Sequence, residues 1–194
     1  MVKLSKRAQE NRSTAAMETA HNNIMLDLET MGNHSNAAII SIGAVKFGPG
    51  GVSSNKFHKM ISLRSSVACG LKMDPDTVMW WMGQSNEARA QFKDNVTVAD
   101  LSSALLSFST WAMGAKSVWG DGSDFDNVIL SNAYDACGII LPWKYYNNRC
   151  YRTMKNLYRD IRMDARVGIK HSAVDDAENQ ALHLIKILKT VGIW

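Results

Sequence analysis

The sequence has 194 residues, of which 46% are hydrophobic and 21% are charged, and its formal net charge is +4. These values are typical of one soluble globular domain with a substantial core, and no apolar run approaches the ~18 residues of a membrane-spanning helix. The three cysteines are far apart in the sequence, which argues against a disulfide framework or a cysteine-based metal site and favours a reducing cytoplasm.

The first 22 residues are polar and lack the apolar centre of a secretion signal. They contain too few apolar side chains to demand a core of their own. We therefore expect a flexible N-terminal extension at 1–22, whose role the sequence does not indicate, and a single folded domain at 23–194.

Predicted strands come first in the chain and predicted helices later. Runs rich in β-branched and apolar residues predict strands at 24–28, 36–48 and 53–63, with a short fourth strand at 117–119. Helical spacing, caps and breakers predict helices at 74–85, 97–114, 124–138, 152–162 and 173–192. This order predicts a mixed α/β sheet, with a three-strand meander followed by parallel strands and helices on its faces.

The first predicted strand carries two carboxylates, in the stretch IMLDLETMG. Side chains two residues apart on a strand point to the same face, so Asp27 and Glu29 are neighbours and Leu26 and Leu28 face the other way. Two carboxylates about 4 Å apart repel by roughly 4 kcal/mol at an effective dielectric constant of about 20. Such a pair needs a cation or a bound proton, unless it lies on the solvated face of an edge strand, and this stretch alone does not decide between these interpretations.

A second acidic cluster lies where the fourth strand leads into a helix, in VWGDGSDFDNVIL. Negative charge at a helix N-terminus is favoured by the helix dipole, which is sufficient to explain Asp124. Asp126 falls inside the first helical turn beside Phe125, where its side chain can face back toward the sheet.

A third cluster opens the last predicted helix, in HSAVDDAENQAL. Interaction with the helix dipole explains Asp175. The combination of His171 with Asp176, five residues later, favours a functional role for those two residues.

The three clusters together resemble the three exonuclease motifs of the DEDDh superfamily, which includes ribonuclease T and polymerase proofreading subunits. The matching residues are DLET on the first strand, FDNVIL on a middle helix and HSAVDDA before the last helix, and the resemblance covers residues 24 to about 190. The tryptophan pair at 80–81, followed by QSNEAR, is most similar to the small phage and bacterial ribonuclease T-like 3′-5′ exonucleases. Two positions depart from the pattern: GDGSDFD lacks the usual Asn before Phe-Asp, and Cys150 stands where relatives carry Asp.

This resemblance implies a ribonuclease H-like fold with a five-stranded mixed sheet, and a 3′-5′ exonuclease that cleaves phosphodiester bonds by a two-metal mechanism. Two divalent cations about 3.5–4 Å apart can stabilise both the attacking and the leaving oxygen, and hard oxygen ligands suit Mg²⁺ or Mn²⁺. The implied metal ligands are Asp27, Glu29, Asp126 and Asp176. His171 is the implied general base, since an ordinary histidine pKa near 6.5 suits that role at neutral pH.

The expected partner is a single-stranded nucleic acid, without a choice between DNA and RNA. Its bases would stack on aromatic or flat apolar groups, and the candidate substrate contacts are Thr30, Met31, Trp80, Trp81 and Phe125. A non-catalytic nucleic-acid-binding module and a ribonuclease H-like endonuclease are the alternatives. The biological pathway is not indicated, and a homodimer is left open by the resemblance.

Overall fold

The computed structural model describes residues 21–93 and 96–194. The predicted extension at 1–22 thus lies outside the described residues except for its last two positions. At the centre is a five-stranded sheet in the order β3-β2-β1-β4-β5. Its strands are β1 at Asn23–Thr30, β2 at Ile39–Gly48, β3 at Gly51–Met60, β4 at Ser117–Gly120 and β5 at Asn148–Cys150.

Strands β1, β2 and β3 form the predicted antiparallel meander, and β4 and β5 extend it in parallel with β1. The predicted mixed sheet is therefore confirmed. The helices are α1 at Leu63–Ala68, α2 at Pro75–Met82, α3 at Asn86–Arg89, α4 at Leu101–Trp111, α5 at Val128–Ala136, α6 at Tyr151–Leu157 and α7 at Ala173–Thr190. No helix in the described part of the chain is both long and apolar enough to cross a membrane.

Three predicted helices differ from the observed ones. The helix predicted at 152–162 ends at Leu157, and the other two differ for tertiary reasons. The helix predicted at 97–114 begins only at Leu101, because the backbone of Ala99 instead hydrogen-bonds to Met60 and Ser62 at the end of β3, at 2.8 and 2.9 Å. The helix predicted at 124–138 is divided into a π-helical turn at Ser123–Asn127 and the regular helix α5.

The two faces of the sheet have different cores. One face packs under α4 and α5 and contains Ile24, Leu26 and Leu28 of β1. The other face lies under α7, and β1 contributes Met25 to it. Asp27 and Glu29 lie two and four residues after Met25 on the strand, so their side chains share the face under α7.

Gly43 of β2 sets how closely α7 approaches this face. Gly43 pairs with Asp27 across the sheet. A Cβ atom at this position would lie 2.1 Å from the carbonyl carbon of Ala173 and 2.2 Å from the nitrogen of Val174. The first turn of α7 therefore rests directly on the strand backbone, which brings the helix start next to the carboxylates of β1.

We predict that Gly43→Ala lowers the free energy of unfolding by about 1–3 kcal/mol, since the added methyl group overpacks this contact. The exonuclease activity that the sequence resemblance implies should fall further than stability alone explains, because the start of α7 must move away from β1. Gly50→Ala is the matched control, as its Cβ would meet nothing within 4 Å. Denaturant unfolding and activity measured on both variants would contradict this explanation if the two behaved alike.

Candidate active site

Asp27 and Glu29 lie near the C-terminal end of β1, beneath α7. The Nε2 group of Gln180 on α7 donates a hydrogen bond of 2.7 Å to Oδ1 of Asp27. Gln180 is one helical turn beyond Asp176, so both side chains project from the same face of α7. Sequence reasoning did not find Gln180, and its i+4 spacing from Asp176 was the available signal.

Asp126 reaches the same site from the π-helical turn that follows β4. This turn begins after Gly122, whose φ of 111° is unfavourable for other residues. The side chain of Asp126 is 3% exposed, and its Oδ1 accepts a hydrogen bond of 3.2 Å from the backbone N–H of Leu28 on β1. The expectation that Asp126 faces back toward the sheet agrees with this contact.

Asp176 joins the first turn of α7 to the preceding loop. Its Oδ2 accepts a 2.9 Å hydrogen bond from the backbone N–H of His171, and its Oδ1 pairs with the guanidinium of Arg166. His171 has a φ of 62°, an uncommon conformation for a residue other than glycine. The amide of Gln91 donates to its carbonyl at 3.2 Å, so contacts on both sides hold this backbone conformation.

The structure thus brings together residues from three distant parts of the chain. Ligand-capable atoms of Glu29, His171 and Asp176 all lie within 4.8 Å of one another. Hydrogen bonds tie Asp27 to α7 and Asp126 to β1 around this group. The four carboxylates and the imidazole that the sequence singled out therefore converge at one end of β1.

The proton affinities of these carboxyl groups are unusual. Burial raises the pKa of Asp27 well above its ordinary value, the charges of Asp126, Glu29 and Asp176 raise it further, and the Gln180 hydrogen bond opposes them. Burial, with the charges of Asp176 and Asp126, raises the pKa of Glu29 to about 8. Burial raises the pKa of Asp126 to about 7, against the opposing effect of the Leu28 hydrogen bond. Without a counter-charge, the site therefore retains protons at neutral pH.

A divalent metal ion fits this donor set. Among the described residues, Arg166 is the only cation that forms an ion pair with any of the four carboxylates. One guanidinium leaves most of the negative charge uncompensated, and carboxylate oxygens are the ligands that Mg²⁺ and Mn²⁺ prefer. Asp27, Glu29, Asp126 and Asp176 are the residues that could hold such ions.

The electrostatic surroundings of His171 keep its ring neutral. Burial lowers the pKa of its imidazole, as do the charges of Lys170 and Arg166, while Asp176 acts in the opposite direction. An imidazole with a pKa below 6.5 is unprotonated at pH 7 and can accept a proton.

Asp175 lies on a different side of the helix start from Asp176. Its Oδ2 accepts a hydrogen bond of 2.9 Å from the backbone N–H of Ile169. One turn later, Asn179 accepts a hydrogen bond from the N–H of Val167 at 2.9 Å and donates one to its carbonyl at 2.7 Å. Besides the predicted interaction with the helix dipole, Asp175 therefore helps to hold the loop that carries His171.

In the second motif, the segment GDGSDFD lacks the usual Asn, and its Asp121 has a structural role. Asp121 does not join the four carboxylates but pairs with Lys155 at 2.9 Å and with Arg152 at 3.5 Å, both on α6. The guanidinium of Arg152 also contacts the carbonyl of Asp121. Asp121 thus fastens the loop after β4 to α6.

The five candidate substrate contacts have different surroundings. Trp80 is 46% exposed, and its ring centroid is 5.0 Å from that of His171. Trp81 is buried and donates its indole N–H to the carbonyl of Thr30 at 2.9 Å, while the hydroxyl of Thr30 donates to the carbonyl of Gly32 at 2.6 Å. Met31 is buried, and Phe125 is half-buried against the core. Trp80 therefore offers the most accessible ring beside the imidazole.

The raised carboxyl pKa values predict how stability depends on pH in metal-free protein. Acids whose folded pKa exceeds the unfolded value stabilise the fold while protonated, so this stability is fully present below about pH 4 and is lost as pH rises through about 7 and 8. We predict that the melting temperature in EDTA is lower at about pH 9 than at about pH 5, because these two conditions bracket that window. Mg²⁺ or Mn²⁺ should restore the loss at high pH.

Glu29→Gln is the test variant for this dependence. It should flatten the fall in melting temperature, because the amide does not titrate. A fall of equal size in the variant and the wild type would show that other groups cause it.

Comparisons with known proteins assign the chain to a family. Residues 22–188 match the model of the Rv2179c-like family, described as a 3′-5′ exoribonuclease Rv2179c-like domain. No curated protein matches the sequence.

Three solved structures share the fold at low sequence identity. The nuclease domain of 3′hExo, a DEDDh family member bound to rAMP, is 14% identical with a TM-score of 0.57, over 88% of this chain and 93% of that chain. Pop2p of S. pombe, in its Mg²⁺- and Mn²⁺-bound form, is 15% identical with a TM-score of 0.57, over 93% of this chain and 88% of that chain. Exonuclease X, in complex with 5′ overhanging duplex DNA, is 15% identical with a TM-score of 0.55, over 89% of this chain and 93% of that chain.

The predicted resemblance and the ribonuclease H-like fold are thereby confirmed. The chain shares its fold with 3′hExo, a DEDDh family member. It belongs to the Rv2179c-like 3′-5′ exoribonuclease domain family and is a 3′-5′ exonuclease.

Proposed function

We propose that the protein is a metal-dependent exoribonuclease that removes nucleotides from the 3′ end of single-stranded RNA. The observation that carries this proposal is the convergence of Glu29, His171 and Asp176, with ligand-capable atoms within 4.8 Å of one another, beside the half-buried Asp27 and the buried Asp126. The burial of like charges costs stability. A binding module gains nothing that offsets this cost, whereas a metal-dependent active site uses such a cluster.

Asp27, Glu29, Asp126 and Asp176 are the proposed ligands of two Mg²⁺ or Mn²⁺ ions. When bound, these ions would stabilise the charge that develops on the attacking and leaving oxygens of the phosphodiester. The raised pKa values of Glu29 and Asp126 support this assignment, since they report a strong demand for positive charge.

His171 is the proposed general base. A water oxygen forms the new bond to phosphorus, the bond from phosphorus to the 3′ oxygen of the preceding nucleotide breaks, and the water's proton passes to the imidazole. The lowered pKa of His171 supports this role, because the ring is neutral at working pH. Asp176 orients the base by accepting the backbone N–H of His171 at 2.9 Å.

RNA is favoured over DNA by the family's description as an exoribonuclease. The exposed ring of Trp80, 5.0 Å from His171, supports a single-stranded substrate, since an unpaired terminal base can stack on it. A homodimer, a cytoplasmic location and a phage origin stay predictions from the sequence.

The substrate assignment is tested by digestion of labelled linear RNA, linear DNA and circular RNA, all single-stranded, with Mg²⁺, Mn²⁺ or EDTA. We expect mononucleotides from linear RNA only with metal present, slower release from DNA, and no cleavage of the circle, which has no 3′ end. Cleavage of the circle would indicate the endonuclease alternative. Metal-independent binding without any product would indicate the binding module.

We predict that His171→Ala lowers the rate by about 10²–10⁴-fold, the usual contribution of general acid–base catalysis. The wild-type rate should rise with pH below about 6.5, as the imidazole loses its proton, and the variant should lose that rise. Because His171 lies within reach of Glu29 and Asp176, the same variant separates a base from a metal ligand. A base predicts that the Mg²⁺-induced rise in melting temperature persists in the variant, whereas its loss would make His171 a ligand.

A further inference from the structure

The positive charge of the protein is concentrated in one stretch. Residues 149–170 contain seven basic and two acidic side chains, a net charge of +5, whereas the whole chain carries +4. The rest of the chain is therefore close to neutral and slightly acidic. This basic stretch starts at the end of β5, forms α6 and leads back to His171.

Part of the stretch forms a groove. Lys155, Arg159 and Arg162 line a cavity of about 570 Å³ beside α6. Its wall also includes His183 of α7, which is 6% exposed. The groove is therefore bounded by basic side chains and by the surface of α7.

His183 fixes the shape of this groove. Its Nε2 lies 2.7 Å from the carbonyl of Ile161, and its Nδ1 lies 2.6 Å from the hydroxyl of Tyr151. A carbonyl only accepts, so Nε2 donates the hydrogen bond and Nδ1 accepts one from Tyr151. Both ring nitrogens are used to join α7 to α6 and to the turn that follows it, which leaves His183 a structural role.

Two arginines of the groove are available to a ligand. Arg159 and Arg162 are exposed, and in the part of the chain that the structure describes neither forms an ion pair. If the two arginines belonged only to a solvated surface held by salt bridges, each would pair with an acidic side chain. The nearby Asp164 pairs with Lys186 of α7 at 2.6 Å, so it does not neutralise these arginines directly.

The groove is connected to the active site on two sides. Lys155 pairs with Asp121, which follows β4 just ahead of the turn that carries Asp126. On α7, His183 is seven residues beyond Asp176, a distance of about 10 Å along the helix axis. A strand whose 3′ end lies at the carboxylates can reach the groove with the nucleotides next to its terminal one.

We propose that the groove lined by Lys155, Arg159 and Arg162 binds the phosphates of the RNA strand just upstream of its 3′-terminal nucleotide. The inference rests on the proposed function for the identity of the strand. Arginine recognises phosphate with two parallel N–H groups, and phosphate contacts position a strand without reading its sequence. The groove therefore favours longer single strands over dinucleotides, whatever their sequence.

The test compares two double variants with the same change in net charge. Arg159→Glu with Arg162→Glu reverses the charge of the groove. Lys59→Glu with Arg64→Glu changes residues on β3 and α1 that are exposed and form no ion pair within residues 21–93 and 96–194. Strand β3 is the edge of the sheet opposite β5. Binding of a long fluorescent single-stranded RNA is measured by anisotropy in EDTA, over a range of salt concentrations. We expect the groove variant to bind on the order of tenfold more weakly and to lose about 1.4 from the salt slope, at about 0.7 per phosphate contact. The control should match the wild type.

Kinetics separate this inference from the proposed function. For the groove variant, kcat/KM should fall on the order of tenfold for long RNA relative to a dinucleotide. Equal losses in the two double variants, or an unchanged preference for long RNA, would overturn the groove assignment. Groove-dependent RNA binding without hydrolysis by the wild type would overturn the proposed function and leave the groove intact. Arg159→Gln with Arg162→Gln provides the same comparison without new negative charge, if the glutamates impair folding.

Discussion

The close contact between the first turn of α7 and the backbone of Gly43 is the constraint on which the active site depends. It brings Asp176 down to a strand that already carries Asp27 and Glu29. When both members are ionised, two carboxylates about 4 Å apart repel by roughly 4 kcal/mol at an effective dielectric constant of about 20. The opposing term is apolar burial, worth about 1.5–3 kcal/mol for each fully buried large side chain. The buried cluster under α7 contains Met25, Val45, Phe47, Leu184, Ile185 and Leu188, so the packing of α7 on the sheet opposes this repulsion.

Asp176 also connects the proposed general base to the proposed metal site. One of its oxygens accepts the backbone N–H of His171, and the other pairs with Arg166. The position of the base is thus defined relative to a proposed metal ligand by a single side chain. Because His171 adopts a left-handed backbone conformation, this hydrogen bond and the Gln91 contact to its carbonyl compensate for local strain.

The sequence was sufficient to predict the strand carboxylates, because the two-residue period of a strand is a local rule. Asp27 and Glu29 share a face as that rule requires, and the meander and α7 were found from equally local patterns. Gln180 was missed because its partner Asp27 is 153 residues away, and Arg166 because a loop arginine has no periodicity. Strand β5 has only three residues, too few for a pattern, and the π-helical turn before α5 depends on contacts with β1 and β4.

The segment at 162–170 is exposed along its entire length. It is fastened to α7 by polar side chains, among them Asp175, Asn179 and Lys186, rather than by apolar burial. Segments held in this way open at a lower free energy than the global fold, as separate cooperative units. This segment can therefore detach while the sheet stays folded. Such sub-global opening removes the anchor of His171 and one wall of the basic groove in one event, so catalytic competence and hydrogen-exchange protection of this segment are lost together.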